Sequence, residues 1–369
     1  MSADRAVAQQ STVVQLDRRR LPGPDVVRAA AMIGVVVMNY HGYLILRGGP
    51  RGDDALDRFF DPWSGPLATR FAATFVLTAG VGVTLFTRGA LGHPNIVRSR
   101  RWSLIRRGLV LYGFGLWFDT IWPGTILPFY GAMFVIAAGL FTLRTGWIVA
   151  TGLFAALAGA GIAWWGFERR LAGHDTGWLF SPRGSPRALL LDVFVNGTHP
   201  LLPWLAFFCA GIVLGRLLRT DWWRSAALMA GFLLFGLGSL ISGAVGRSPR
   251  AIIVASTHPF DRGLLYTASA LGTALIAFAT ISWLADRFVD TVPIEVLRHA
   301  GAMTLTLYIA HGLVFNLVVD WLGWIEPGGL ARALAFAAVY WAIAITAAWW
   351  WHERHGIGPA EWVYRQIGG

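Results

Sequence analysis

Polar residues interrupt the apolar runs of this sequence at a few places, and each suits a particular chemistry. In the stretch Pro24-Asp25-Val-Val-Arg28, the acid and base are three apart, so on a helix they can pair. At continued helical spacing Asn39 falls on the same face, where its amide can polarise a carbonyl. His41 follows in Met38-Asn-Tyr-His-Gly-Tyr43, near the far end of that helix, where it can act as general base toward a hydroxyl or amine. About 200° of helix separates two residues, so Asn39 and His41 face apart if the helix is regular. Later in the chain Thr304, Tyr308 and His311 share one face of another apolar run. A histidine in the middle of such a run needs a polar cavity or a partner.

Arginines form a further group. Arg98, Arg100, Arg101, Arg106 and Arg107 lie within ten residues, with Trp102 among them. In a loop leading to a helix start, that density suits a phosphate-rich ligand; an acyl-CoA fits, and so do lipid head groups. Arg28 and Arg70, each at the start of an apolar run, join Arg98, Arg101, Arg106 and Arg107 as candidate ligand-binding cations. Thr74 and Thr78 follow Arg70 on one side, a spacing at which threonine often bonds its own helix backbone. His199 and His258 each sit in a Thr-His-Pro tripeptide before an apolar run. With Tyr308 and Asp25 they are candidates for binding an acceptor substrate.

The elements that must position these residues are membrane helices. The chain has 369 residues, 55% hydrophobic and only 14% charged, where soluble domains carry about a quarter charged. Apolar runs of roughly 18 residues or more recur throughout, the signal for membrane spans. Ten are predicted, at 25–46, 67–88, 104–121, 125–143, 147–167, 199–218, 225–243, 263–285, 300–323 and 330–351. The expected fold is an all-α polytopic membrane helical bundle of about ten transmembrane helices, with both termini cytoplasmic. Residues 1–24 and 352–369 form cytoplasmic tails around a transmembrane domain at 25–351. All 31 basic residues are arginine, a usage typical of GC-rich bacterial genomes. With the N-terminus inside, the cytoplasmic segments hold eighteen of them, including Arg5, Arg18, Arg19 and Arg20, and the outer segments eleven, including Arg183 and Arg247. The implied location is a bacterial plasma membrane. The first apolar stretch is too long for a signal peptide and no small-x-small cleavage pattern follows, so it is read as a retained helix.

The net charge of +11 follows from this arginine bias, and with no nucleic-acid motif present nucleic acid is not an expected partner. The single cysteine, Cys209, forms no intramolecular disulfide and implies no metal site.

The Asp25-x-x-Arg28-Ala start, Val37-Met-Asn39-Tyr, Asn196-Gly-Thr-His-Pro-Leu-Leu-Pro-Trp-Leu205 and Leu307-Tyr-Ile-Ala-His311 together resemble the heparan-alpha-glucosaminide N-acetyltransferase-like family, with its YeiB-type bacterial relatives. The resemblance implies ten or eleven helices and transfer of an acetyl group from cytoplasmic acetyl-CoA to a sugar or glycolipid acceptor beyond the bilayer, with no metal; a homodimer is compatible with it. The family asparagine matches Asn39, and a ninth-span histidine matches His311. The family's catalytic histidine, eleven residues beyond that asparagine, falls on Pro50, and His41 is the nearest substitute. Asn39, His41 and His311 are thus the candidate catalytic residues. The same buried groups, Asp25, Arg28, Asn39 and His311, also suit a proton-coupled transporter or exporter, although no inverted repeat is visible in the sequence.

Overall fold

A computed structural model describes residues 22–180, 185–245 and 249–369. Arg5, Arg18 to Arg20, Arg183, Arg247 and most of the predicted N-terminal tail lie outside these residues. Among the described residues the fold is all-α, without strands. The helices are α1 (Pro22–Leu46), α2 (Ala55–Phe59), α3 (Arg70–Thr87), α4 (Pro94–Phe118), α5 (Leu127–Leu140), α6 (Thr145–Leu171), α7 (Pro186–Leu191), α8 (Leu201–Leu217), α9 (Trp223–Ala244), α10 (Pro249–Ala255), α11 (Leu264–Arg287), α12 (Val292–Ala302), α13 (Thr304–Phe315), α14 (Leu330–His355) and α15 (Pro359–Gly368).

Each predicted span meets a helix. Seven are long and apolar enough to cross a membrane: α1, α3, α6, α9, α11, α13 with its π-helical continuation to Trp321, and α14. An eighth candidate is a broken one, in which Pro186–Asn196 and Leu201–Leu217 meet at 58°. The remaining two predicted spans correspond to α4 and α5. Helix α5 has only 14 residues. Helix α4 has 25 residues and begins at Pro94, so the arginines read as a loop are its first turns. Pro94 at its start explains this, because proline is well suited to the first turn of a helix and leaves the following residues free to continue it. The segment read as a C-terminal tail is also structured: α14 runs on to His355, and α15 follows.

Of the seven long spans α1 and α3 are the most buried, and α8 is buried along most of its length, whereas α6 and α9 turn most of their surface outward. In lipid there is no hydrophobic force between helices, so close backbone approach supplies the packing. Gly80 and Gly211 allow α3 and α8 to touch: a Cβ on Gly80 would lie 2.2 Å from the Phe208 carbonyl, and one on Gly211 2.0 Å from that of Leu77. Gly301 does the same for α12 against α1, where a Cβ would meet the Asp25 carbonyl at 1.9 Å. Backbone cannot yield as a side chain can, so Gly301→Val should destabilise the bundle by about 1–3 kcal/mol or more. Gly139→Ala, where nothing lies within 4 Å, should melt like wild type. Thermal unfolding followed by circular dichroism in detergent checks both, and equal melting of the two variants would refute the close-packed seam.

Candidate functional site

Helices α1 and α13 meet through buried polar contacts. Asn39 and His311 meet there at 3.2 Å between Nδ2 and Nε2. His311 is fully buried, and its Nδ1 bonds the Tyr308 carbonyl. A carbonyl only accepts, so Nδ1 carries the proton and Nε2 is the acceptor for the Asn39 amide. The Tyr40 hydroxyl donates to the His311 carbonyl at 3.1 Å, and the Trp122 ring stands edge-on to the imidazole at 5.1 Å between centroids. Neither ring nitrogen is left to a ligand in this geometry. His311 therefore holds Asn39, and Asn39 lines a cavity.

That cavity, of about 410 Å³, lies toward the Leu46 end of α1. Its polar groups include Asn39, Tyr43, Thr69, Thr198, His199 and Tyr308 among aromatic walls such as Phe71, Phe75 and Trp122. His199 packs edge-on against Trp204 at 4.6 Å between ring centroids, and its Nδ1 is buried without a hydrogen-bond partner among the described residues. A second cavity, of about 470 Å³, lies toward the Pro22 end and is lined by Asp25, Arg28, Arg88, Arg107, Tyr130, Thr304, Tyr308, Glu361, Tyr364 and Arg365, with an apolar remainder. Asp25 and Arg28 pair at 3.0 Å, as their spacing predicted, and Arg28 also reaches the Gly301 carbonyl at 3.3 Å.

Phe75, Ile126 and Tyr308 line both cavities and so form the wall between them. The wall is pinned by hydrogen bonds. The Ile126 amide donates to the Tyr308 hydroxyl at 3.1 Å, and the Thr125 hydroxyl meets the same oxygen at 3.1 Å. Helix α13 itself lacks a cap from Met303. Its free amides are satisfied instead by Glu361, whose carboxylate accepts from Leu305 N at 2.6 Å, Thr306 N at 3.1 Å and the Thr306 hydroxyl at 2.6 Å.

Several residues singled out from the sequence stand elsewhere. His41 faces away from Asn39, as the helical geometry requires; it is buried and its Nδ1 bonds the Phe60 carbonyl at 2.9 Å. It holds the loop after α1 and lines neither cavity. Arg70 ties α3 to α11 through Ser269 at 2.9 Å and Thr273 at 3.4 Å. Thr74 and Thr78 bond the carbonyls of Arg70 and Thr74. Of the arginines at the start of α4, only Arg107 lines a cavity. Arg98, Arg101 and Arg106 are exposed, and Arg101 bonds the Ala138 carbonyl at 2.9 Å. His258 is exposed and lines neither cavity, unlike its counterpart His199. Among the described residues no three His, Cys, Asp or Glu side chains group as metal ligands.

Sequence reasoning missed Arg88, Tyr130, Glu361, Tyr364 and Arg365. Glu361 and Arg365 are four apart after Gly358-Pro359, a pattern that marks a helix start with one polar face. It also missed Asp61, which shapes the rim of the first cavity by accepting from Trp63 N at 2.9 Å and from Ser64 N and Oγ at 2.7 and 2.8 Å. Burial alone would raise the Asp61 carboxyl, but these bonds and Arg51 outweigh it and hold it below the usual range. A depressed pKa means the rim is stabilised above the ordinary carboxylate value of about 4 and loosens as pH falls through the lowered one. Hydrogen-exchange protection at Trp63 and Ser64 should therefore drop in acid, and Asp61→Asn should remove the pH dependence; equal protection in acid and at neutral pH would contradict this. The His311 tautomer is equally testable. Nitrogen-15 NMR should show a neutral ring protonated at Nδ1, and Asn39→Leu, which leaves Nε2 buried and unpaired, should cost about 1–3 kcal/mol.

Apolar helices of this number and length, packed around two cavities with polar groups set in mostly apolar walls, define a multi-pass helical membrane protein. Residues 214–368 match the model of a family described as a protein of unknown function, DUF418. The matched part is similar to that family of membrane proteins and includes Tyr308, His311, Glu361, Tyr364 and Arg365. No curated protein matches the chain.

Proposed function

We propose that this protein is a membrane-embedded acyltransferase, which moves an acetyl or short acyl group from acyl-CoA on one side of the bilayer to a sugar or glycan acceptor on the other. The observation that carries the reading is the pair of cavities separated by Phe75, Ile126 and Tyr308. Acyl transfer across a membrane needs a donor and an acceptor to approach from opposite ends, with a partition between them that only the slender thioester arm passes to reach Asn39. With the arginine-rich end in the cytoplasm, as charge bias implies, the cavity of Arg28, Arg88, Arg107 and Arg365 is the donor side.

Asn39 uses one amide hydrogen on His311 and has a second for the acyl carbonyl, where an oriented donor lowers the barrier most as negative charge develops. His311 is then a positioning residue. His199, which lines the acceptor cavity, takes the proton of the attacking hydroxyl or amine. The new acyl–oxygen or acyl–nitrogen bond forms as the carbon–sulfur bond breaks, and the proton passes from the imidazolium to the departing thiolate. His41, bonded to the loop, has no part in the chemistry.

The bent pair around residues 197–200 also suits a transporter, because broken helices often line solute paths. Against this, both cavities are present in one conformation and the wall between them is held by hydrogen bonds, whereas an alternating path opens to one side at a time.

The test is protein reconstituted in vesicles with labelled acetyl-CoA and an amino-sugar acceptor such as glucosamine. Transfer should appear in the acceptor, fall about 10²–10³-fold in Asn39→Ala, as removal of an oxyanion donor does, and persist in His41→Gln. Solute flux without acetyl-CoA, together with no acyl transfer, would sink the enzyme reading in favour of the transporter.

A further inference from the structure

Helix α15 does more than end the described chain. It turns back from α14 through Gly356, whose φ of 70° suits glycine, and packs against α4 and the start of α13. Glu361 fastens it there by capping α13, and the Thr306 hydroxyl accepts from the Ala360 amide at 3.1 Å in return. Seated this way, α15 sends Tyr364 and Arg365 into the arginine cavity.

The charges there do not balance from within. Glu361 is committed to α13, and Asp25 pairs with Arg28. Arg88, Arg107 and Arg365 have no ion pair with a side chain among the described residues; Arg88 and Arg365 are exposed and Arg107 is partly buried. Arg107 lies over the Phe86 ring at 4.3 Å and donates to the Gly369 carbonyl at 3.0 Å, while its Nε is buried without a partner. The hydroxyls of Tyr130 and Tyr364 are likewise buried and unpartnered among the described residues, and Tyr130 is more than nine-tenths buried. Buried hydroxyls and guanidinium nitrogens are normally bonded, so Tyr130, Tyr364 and the Arg107 Nε are donors to spare, and the two exposed arginines beside them add positive charge. Burial also pushes the Tyr364 phenol well above its ordinary range, so it remains a protonated donor. The inner part of the cavity is apolar, with Phe75, Ala79, Leu111 and Phe134 leading toward Tyr308.

We infer that α15 is the clamp of a phosphate-binding site, in which Tyr364 and Arg365 join Arg88 and Arg107 around a phosphate whose uncharged arm extends inward toward Tyr308, with Glu361 as the latch that seats the clamp. The inference rests on the reading of this cavity as the donor side. Two sources share the chemistry: a soluble nucleotide-linked thiol and a phospholipid head group. The latch also links occupancy to the wall, since the same carboxylate that holds α15 caps the helix carrying Tyr308 and His311.

The test uses the full chain in phosphatidylcholine nanodiscs. Coenzyme A and 3′,5′-ADP are titrated by calorimetry, and a parallel set of discs contains phosphatidic acid. Coenzyme A should bind wild type, and Tyr364→Phe and Arg365→Gln should each weaken it about tenfold. Arg101→Gln, exposed and outside the cavity, should leave it unchanged. Glu361→Gln should weaken binding and raise hydrogen exchange over 359–368, an effect that loss of a ligand contact alone does not produce. Thermal melting of each variant distinguishes weaker binding from unfolding; Tyr364→Phe removes an unpartnered hydroxyl and should not unfold the protein. Wild-type affinity in both Tyr364→Phe and Arg365→Gln overturns the clamp, and if acetyl transfer continues in those variants the enzyme reading stands without it. Binding of phosphatidic acid but not of coenzyme A, with the same response to the variants, supports the clamp and removes acyl-CoA as donor. No binding of any phosphate probe to folded wild type overturns the clamp outright.

Discussion

The hydrogen bond between Asn39 and His311 is the constraint on which the centre of this protein depends. The His311 imidazole lies where there is no water to satisfy it, and the Asn39 amide, at the edge of the cavity, supplies the partner for its Nε2. An interhelical bond of this kind is worth only about 0.6 kcal/mol on average in a membrane protein. Its importance is therefore geometric. It fixes the rotation of α1 against α13, and the contacts of α1 with the flanking segments follow the same register: Arg28 to the Gly301 carbonyl of α12 near one end, Tyr40 to the His311 carbonyl in the middle, and Arg47, just past α1, to Asp320 of the π-helical continuation near the other. A rotation that broke the central pair would also misplace Tyr308, and with it the wall between the two cavities.

Much of the framework could be read from the sequence because it follows from solvent. A chain in lipid must satisfy its backbone internally, so long apolar runs become helices, and each of the ten predicted spans does meet one. The helical repeat also correctly placed Asp25 beside Arg28 and set His41 on the opposite face from Asn39. What the sequence concealed is how distant segments meet. Five arginines between Arg98 and Arg107 look like one group in the chain, but on a helix they point in different directions, and only Arg107 turns into the cavity. Arg88 and Arg365, nearly 280 residues apart, complete the set. Local spacing carries no information about such a pairing. Thr-His-Pro shows the same limit: two identical tripeptides give a histidine against aromatic rings at 199 and an exposed one at 258.

His41 is instructive for a different reason. It looked like a substitute for the histidine that the resembling family has where this chain has Pro50. The structure places it under the loop after α1, bonded to the Phe60 carbonyl. Next to it, Asp61 folds the rim back on itself and sets Pro62 and Trp63 at the cavity. A buried histidine satisfied by a backbone carbonyl explains its burial fully and leaves no unmet hydrogen bond that calls for a substrate. The cavity toward the Leu46 end of α1 contains its own imidazole, His199, which follows the bend between α7 and α8.

The division of the site between the two parts of the chain bears on what similarity can transfer. The stretch that matches the DUF418 family contains the helix of Tyr308 and His311 and the helix that closes the arginine cavity. Asn39, Arg28, Arg107, Tyr130 and His199 all come from the part before it. A related chain that kept the second part and changed the first would retain Tyr308 from the wall, the latch of Glu361 and two cavity-lining groups of α15, yet would lose Phe75 and Ile126 and the amide that His311 holds. The Nε2 of His311 would then be buried and unpaired, with no amide to present to the cavity. Chemistry at this position therefore depends on the pair, and α1 must be compared together with α13 before a function is carried from one such protein to another.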